Sequence, residues 1–129
     1  MFDASDYMIT VAEMGEFADA ANEKLTPEEL EGLITYVSQH PDDGETISDT
    51  GGLRVLNWPA WRDDGPKVVY LFRDLNMPVY LIALLDADES LEFTKEEKAR
   101  MRATVNAIVT EQWAKQISPL IAAASKTSA

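Results

Sequence analysis

The stretch from Ile47 to Phe72, ISDTGGLRVLNWPAWRDDGPKVVYLF, decides the fold. Leu53 to Trp58 and the run beginning at Lys67 and ending at Arg73 have strand composition, and the Pro- and Gly-containing WPAWRDDGP between them reads as a hairpin turn. A third strand candidate, Val79 to Leu85, follows the turn DLNMP, so the simplest arrangement is an antiparallel meander. If residues 58 to 66 form the hairpin loop, Lys67 pairs near Asn57, which puts Arg54 about 10 Å along the partner strand. Side chains from Arg54 and Lys67 could then bracket a phosphate, on condition that both point to the same face. Lys67 and Arg73 share a face by alternation, but about 20 Å of strand separates them, too far to grip one phosphate together.

Before the hairpin, YMITVAEM (Tyr7 to Met14) reads as a first strand and GEFADAANEKL as a short helix. TPEELEGLITYVSQH is a firmer helix: Thr26 is its N-cap, Pro27 its first residue and Glu29 the third residue of a capping box. Leu30, Leu33, Ile34 and Val37 form its apolar stripe, and PDDGETISDTGG is read as the loop that ends it. After the meander, a second capping box of Thr94 and Glu97 opens a long helix, with Met101, Val105, Ile108, Val109 and Trp113 at helical spacing. Ser118-Pro119 is expected to break or restart it, and the tail SKTSA to fray. The order β-α-α-β-β-β-α predicts one α+β domain over residues 1–129. Its small antiparallel sheet is packed by two N-terminal helices and a C-terminal helix, all covering one face.

A chain of 129 residues, 46% apolar and 26% charged, fits one soluble globular domain. It has no cysteine, which excludes disulfides, thiolate zinc sites and a cysteine nucleophile, and which fits a cytoplasmic protein. The N-terminus MFDASDYMIT carries acids where a secretory signal carries bases, and no apolar run is long enough to span a bilayer. The net charge is −12, but it is unevenly spread. Residues 1–50 hold 13 Asp and Glu against Lys24 alone, whereas residues 51–129 hold 10 acids and 10 bases. The acidic half reads as a solvated helix surface or as a docking surface for a basic partner.

Three stretches, LTPEELEGLITYVSQHPDDGETISDTGGLR, DGPKVVYLF and MPVYLIALLDADESLEFTKEEK, occur in the order and at the spacing of the RelE/ParE superfamily of toxins from bacterial toxin–antitoxin pairs. They resemble most closely its HigB-like, RelE-type branch, over about residues 7–110, with residues 118–129 as a C-terminal extension. The resemblance implies a RelE-like fold and a ribosome-dependent mRNA endonuclease that inhibits translation. Its partners would be the ribosome, mRNA and an antitoxin of helix-turn-helix type, without cofactor, metal or membrane. In such enzymes cations stabilise the charge that builds on the phosphate as a ribose 2′-hydroxyl attacks it.

On this resemblance the catalytic candidates are Arg54, which matches the Arg of the family's Gly-Gly-Leu-Arg, and Lys67, which stands where the family has Arg, with Arg62 assisting. RNA-binding candidates are Trp58 and Trp61, as stacking platforms, and Arg73. The same tryptophans also fit a core-capping or partner-binding role, and Arg73 also fits a structural one. Several family positions are changed: Val55 and Asn57 replace basic residues, Leu85, Ala87 and Ser90 replace a Tyr and two Lys, and Phe93 stands near a catalytic Tyr position. These departures imply the alternative of a catalytically inactive binding module on the same fold, engaging an antitoxin-like partner. His40, at a helix end before Pro41, reads as a C-terminal dipole partner. Asp42, Asp43 and Glu45 read as a solvated loop without metal-ligand spacing. Lys95, Lys98 and Arg102 form one stripe of the last helix, either an interaction surface or a solubilising one.

Overall fold

A computed structural model describes residues 10–59, 64–74 and 77–127, with side chains described as far as Gln112. The chain runs β1 (Val11–Glu13), α1 (Gly15–Lys24), α2 (Pro27–Gln39), β2 (Glu45–Thr46), β3 (Leu53–Asn57), β4 (Lys67–Leu71), β5 (Val79–Leu85) and α3 (Lys95–Thr127). The sheet order is β1-β5-β4-β3-β2. The meander β3-β4-β5 is antiparallel as expected, with Asn57 opposite Lys67 and Arg54 opposite Tyr70. The first strand pairs parallel to β5, Val11 facing Val79, so the sheet is mixed and not wholly antiparallel. Helices α1 and α2 lie between β1 and the meander, a crossover long enough to bring β1 back in the same direction. Of the strand read at Tyr7 to Met14, residues 7–9 lie outside the described residues, as do Trp61, Arg62, the centre of DLNMP and residues 128–129.

Both expected capping boxes form. The Thr26 hydroxyl accepts from the Glu29 amide at 3.1 Å while the Glu29 carboxylate accepts from the Thr26 amide at 2.9 Å. Thr94 and Glu97 repeat the arrangement at the start of α3. Helix α3 then continues through Ser118-Pro119, where a break was expected. A proline removes one i→i−4 bond and crowds one turn, a local penalty that the helix on either side can outlast.

The helices occupy both faces of the sheet, not one. Phe17 and Ala21 of α1 and Leu33 and Val37 of α2 join Leu56, Val68, Tyr70, Val79, Leu81 and Leu84 in one core. Val105 and Ile108 of α3 join Leu53, Val55, Val69 and Leu71 in a second core on the opposite side. An apolar stripe specifies that a helix buries one face, but not which side of the sheet receives it. Two-sided burial also explains why KVVYL is a continuous apolar run after its lysine: as an inner strand it supplies side chains to both cores.

One irregularity shapes β5. Val69 pairs with Ala83 but Tyr70 pairs with Leu81, so Ile82 is an extra residue, a β-bulge. The segment read as one loop, PDDGETISDTGG, contains the short strand β2, paired to β3 through Glu45–Val55 and Thr46–Arg54. The turn between them places Gly51 at φ +80° and Gly52 at φ +112°, conformations that favour glycine. Buried Thr50 closes it, its hydroxyl donating to the Ile47 carbonyl at 2.7 Å.

Gly44 is required for a different reason, close approach. A Cβ there would lie 2.7 Å from the Tyr70 hydroxyl and 2.9 Å from the Val55 carbonyl oxygen. Gly44→Ala is therefore expected to destabilise the fold by roughly 1–3 kcal/mol through overpacking. Gly15→Ala, where nothing lies within 4 Å of the new methyl, should leave stability unchanged or raise it by up to about 1 kcal/mol. Urea unfolding of the two variants beside the parent measures both shifts.

Candidate functional site

Register decides what the hairpin cations can do together. Arg54 lies opposite Tyr70, and Lys67 lies three residues before Tyr70 on the same strand. Side chains alternate along β4, with Val68 and Tyr70 in the α1/α2 core and Val69 in the α3 core. Arg54 therefore points to the α1/α2 side of the sheet and Lys67 to the α3 side. The pairing of Lys67 with Asn57 is the expected one, but the same-face condition for bracketing a phosphate is not met.

Each cation is also held by backbone oxygens. One guanidinium nitrogen of Arg54 donates to the carbonyls of Asp42, at 3.0 Å, and Gly44, at 2.9 Å. The same loop is held twice more. The Gly44 amide donates to the Tyr70 hydroxyl at 2.8 Å, and the Tyr36 hydroxyl donates to the Asp43 carboxylate. Arg54, Tyr36 and Tyr70 thus fix the loop that follows α2, and burial pushes the Tyr70 phenol above its ordinary pKa. His40 is the C-cap of α2, its amide donating to the Tyr36 carbonyl at 2.8 Å and its ring centroid 4.9 Å from that of Tyr36.

Lys67 performs the corresponding task at the far end of β5. Its ammonium donates to the carbonyls of Ala87 and, at 3.1 Å, Glu89. Nearby, Lys24 pairs with Asp86 at 2.7 Å, and the Glu89 carboxylate accepts from the Asp86 amide at 3.0 Å. Asp86 and Glu89 are exposed, and the Lys24–Asp86 pair is a solvent-screened one that raises the Lys24 pKa. The surroundings of Lys67 are acidic: a shallow cleft beside it is lined by Asp43, Glu45, Asn57 and Leu91.

The remaining candidates lie apart from this pair. Trp58 is only 9% exposed and its ring centroid sits 5.6 Å from that of Tyr36, within the α1/α2 core. Arg73 donates to the Gly51 carbonyl at 3.4 Å. Trp61 and Arg62 lie outside the described residues. Two members of the α3 stripe grip the β2–β3 turn: Lys98 donates to the Ser48 hydroxyl at 3.1 Å, and Arg102 to the Asp49 carbonyl at 2.7 Å and its carboxylate at 3.1 Å. No cluster of three or more His, Cys, Asp or Glu able to hold a metal occurs among the described residues. No helix of the described residues is long and apolar enough to cross a membrane.

The sequence reading did not single out Tyr36, Gly44 or Tyr70. The usable signal was a glycine directly after two aspartates, in a loop leaving a helix that carries a tyrosine in its last turn.

Two outcomes follow from the anchored loop. Tyr70→Phe leaves the Gly44 amide without its acceptor and should destabilise by about 1–3 kcal/mol in urea unfolding. The hydrogen bond to Asp43, with burial, pushes the Tyr36 phenol up to about 12 from its ordinary 10.0. Both states keep the proton below pH 10, and above it the unfolded chain loses the proton first. Stability should therefore fall as pH rises from 10.0 to about 12. Tyr36→Phe should flatten part of that fall, Tyr70 and Lys24, whose pKa values are also raised, acting with the same sign.

The chain matches none of the protein-family models and none of the curated proteins compared with it.

Proposed function

We propose that this chain is a binding module on a RelE/HigB-like fold, which engages an antitoxin-like partner protein and does not cleave RNA. The observation that carries this reading is the placement of Arg54 and Lys67 on opposite faces of the sheet, each donating to two loop carbonyls. Stabilising a phosphorane-like transition state needs several donors converging within hydrogen-bond distance of one group of oxygens. Donors separated by the thickness of a sheet do not converge. The replaced positions Leu85, Ala87, Ser90 and Phe93 support the same reading, since none offers a group able to exchange a proton with a leaving or attacking oxygen near neutral pH.

A module of this kind exchanges catalysis for recognition, and its charge suits a basic partner. The acids of the N-terminal half are displayed on the outer surfaces of α1 and α2, where Glu16, Asp19, Glu23, Glu28 and Glu31 are all exposed. A predominantly acidic surface on these helices accelerates encounter with an oppositely charged protein and discourages approach of a polyphosphate.

The competing reading is a ribosome-dependent nuclease in which Arg54, Lys67 and Arg62 act together. Induced expression of the intact chain in growing cells, with cleavage of ribosome-bound mRNA followed by primer extension, separates the two. No growth arrest and no cleavage are expected. Arrest accompanied by cleavage, both lost in the Arg54→Ala, Lys67→Ala double variant while that variant remains folded, would overturn the binding-module reading.

A further inference from the structure

The two faces of the sheet are covered unequally. On the α1/α2 side Val68, Tyr70 and Leu81 have no exposed surface at all. On the α3 side Ile82, Ala83 and Leu85 stay half-buried, as do Phe93 and Met101 beside them. The bulge is the cause of much of this. It turns Ile82 and Ala83 to the same side, so β5 presents two adjacent apolar side chains where a regular strand would present one. An open groove of about 600 Å³ results, between this part of the sheet, the start of α1 and the first turns of α3.

We propose that this groove docks an amphipathic helix of a partner protein, its apolar face seated on the bulged part of β5 and basic residues along its flanks. The proposal rests on the binding-module reading and names the kind of partner. Three features select the occupant. First, the floor of the groove is the face of the sheet, formed by side chains of β3, β4 and β5 standing out of the sheet plane. An occupant seated on that face meets side chains and not ladder hydrogen bonds, and a helix satisfies its own backbone there. Second, carboxylates stand at the rim: Glu16 from α1 and Glu97 from α3 line the groove, with Arg100 the base among its lining residues. The cap at the start of α3 holds the Glu97 carboxyl below its usual pKa, so it is charged across the physiological range. Third, a second copy of the chain would bring another net charge of −12 against the first, which disfavours self-association through this face. A basic amphipathic helix meets the apolar floor and the acidic rim together.

The test uses the full 129-residue chain and two synthetic helical peptides with the same leucine stripe, one flanked by lysines and one by glutamates. Binding is followed by fluorescence anisotropy at physiological ionic strength. The lysine peptide is expected to bind at least roughly tenfold more tightly than the glutamate peptide. Thr104→Arg, an exposed position on α3 that lines the groove and accepts a good helix former, should weaken the lysine peptide by roughly tenfold or more. Glu16→Lys, also exposed and lining, should narrow the preference between the two peptides. Circular dichroism of both variants checks that they remain folded. The proposal is overturned if neither peptide binds, if both bind equally, if binding ignores both folded variants, or if sedimentation shows a dimer that the peptides cannot compete apart. Cleavage of mRNA by the chain, with groove binding intact, would sink the functional reading alone. Absence of groove binding, with no cleavage, would sink the groove alone.

Discussion

Strand β4 is enclosed by helices on both sides, and most of the molecule follows from that enclosure. Each of its residues after Lys67 enters one of two cores, so the strand has no face left for solvent or for a ligand. Its neighbours β3 and β5 inherit the same restriction through the pairing register. Polar side chains on these strands can reach functional positions only at the ends, and there they meet the loops. Arg54 and Lys67 do this on opposite sides. The first ties down the loop that follows α2 and the second the turn that follows β5.

The loops need such ties because little apolar burial holds them. Asp42, Asp43, Glu45, Ser48 and Asp49 are all exposed, as are Asp86, Asp88 and Glu89. Their carbonyls and carboxylates accumulate negative potential, and a cation donating into them offsets both charge and loop entropy. In a chain with 23 acids and 11 bases, the bases are the scarce component, and their placement at loop carbonyls distributes them as fasteners. That use competes with phosphate binding at the same side chains.

Local chemistry made much of this legible in the sequence. Both capping boxes, the hairpin, the third strand and the pairing of Lys67 with Asn57 depend on residues close together in the chain, and each forms as read. The non-local features were less accessible. Glu45 and Thr46 are two polar, exposed residues that become a strand only because β3 lies beside them. The parallel docking of β1 and the division of helices between two faces depend on long-range packing, which a stripe of apolar residues does not encode. The opposed orientation of Arg54 and Lys67 was within reach, since a residue opposite Arg54 and a residue three positions away on one strand must face opposite ways. The anchored loop was signalled only in part: Asp42, Asp43 and Gly44 after a helix with Tyr36 in its last turn mark a constrained turn, but Tyr70 in an apolar run announces burial without naming its polar partner.

The bulge at Ile82 also divides β5 into two halves of different phase. Val79 and Leu81 before it, and Leu84 after it, all reach the α1/α2 core, although strict alternation from Leu81 would carry Leu84 to the other side. The extra residue resets the phase halfway along. Substitutions that keep volume and polarity can be absorbed on either side of it. Loss of one residue between Leu81 and Leu84 would remove the bulge itself: the two leucines would then stand two apart, both still facing the α1/α2 core, with one apolar side chain between them on the α3 side and not two. For this strand, the bulge is the place where a one-residue change of length leaves both cores intact, and what such a change alters is the width of the apolar face turned toward α3.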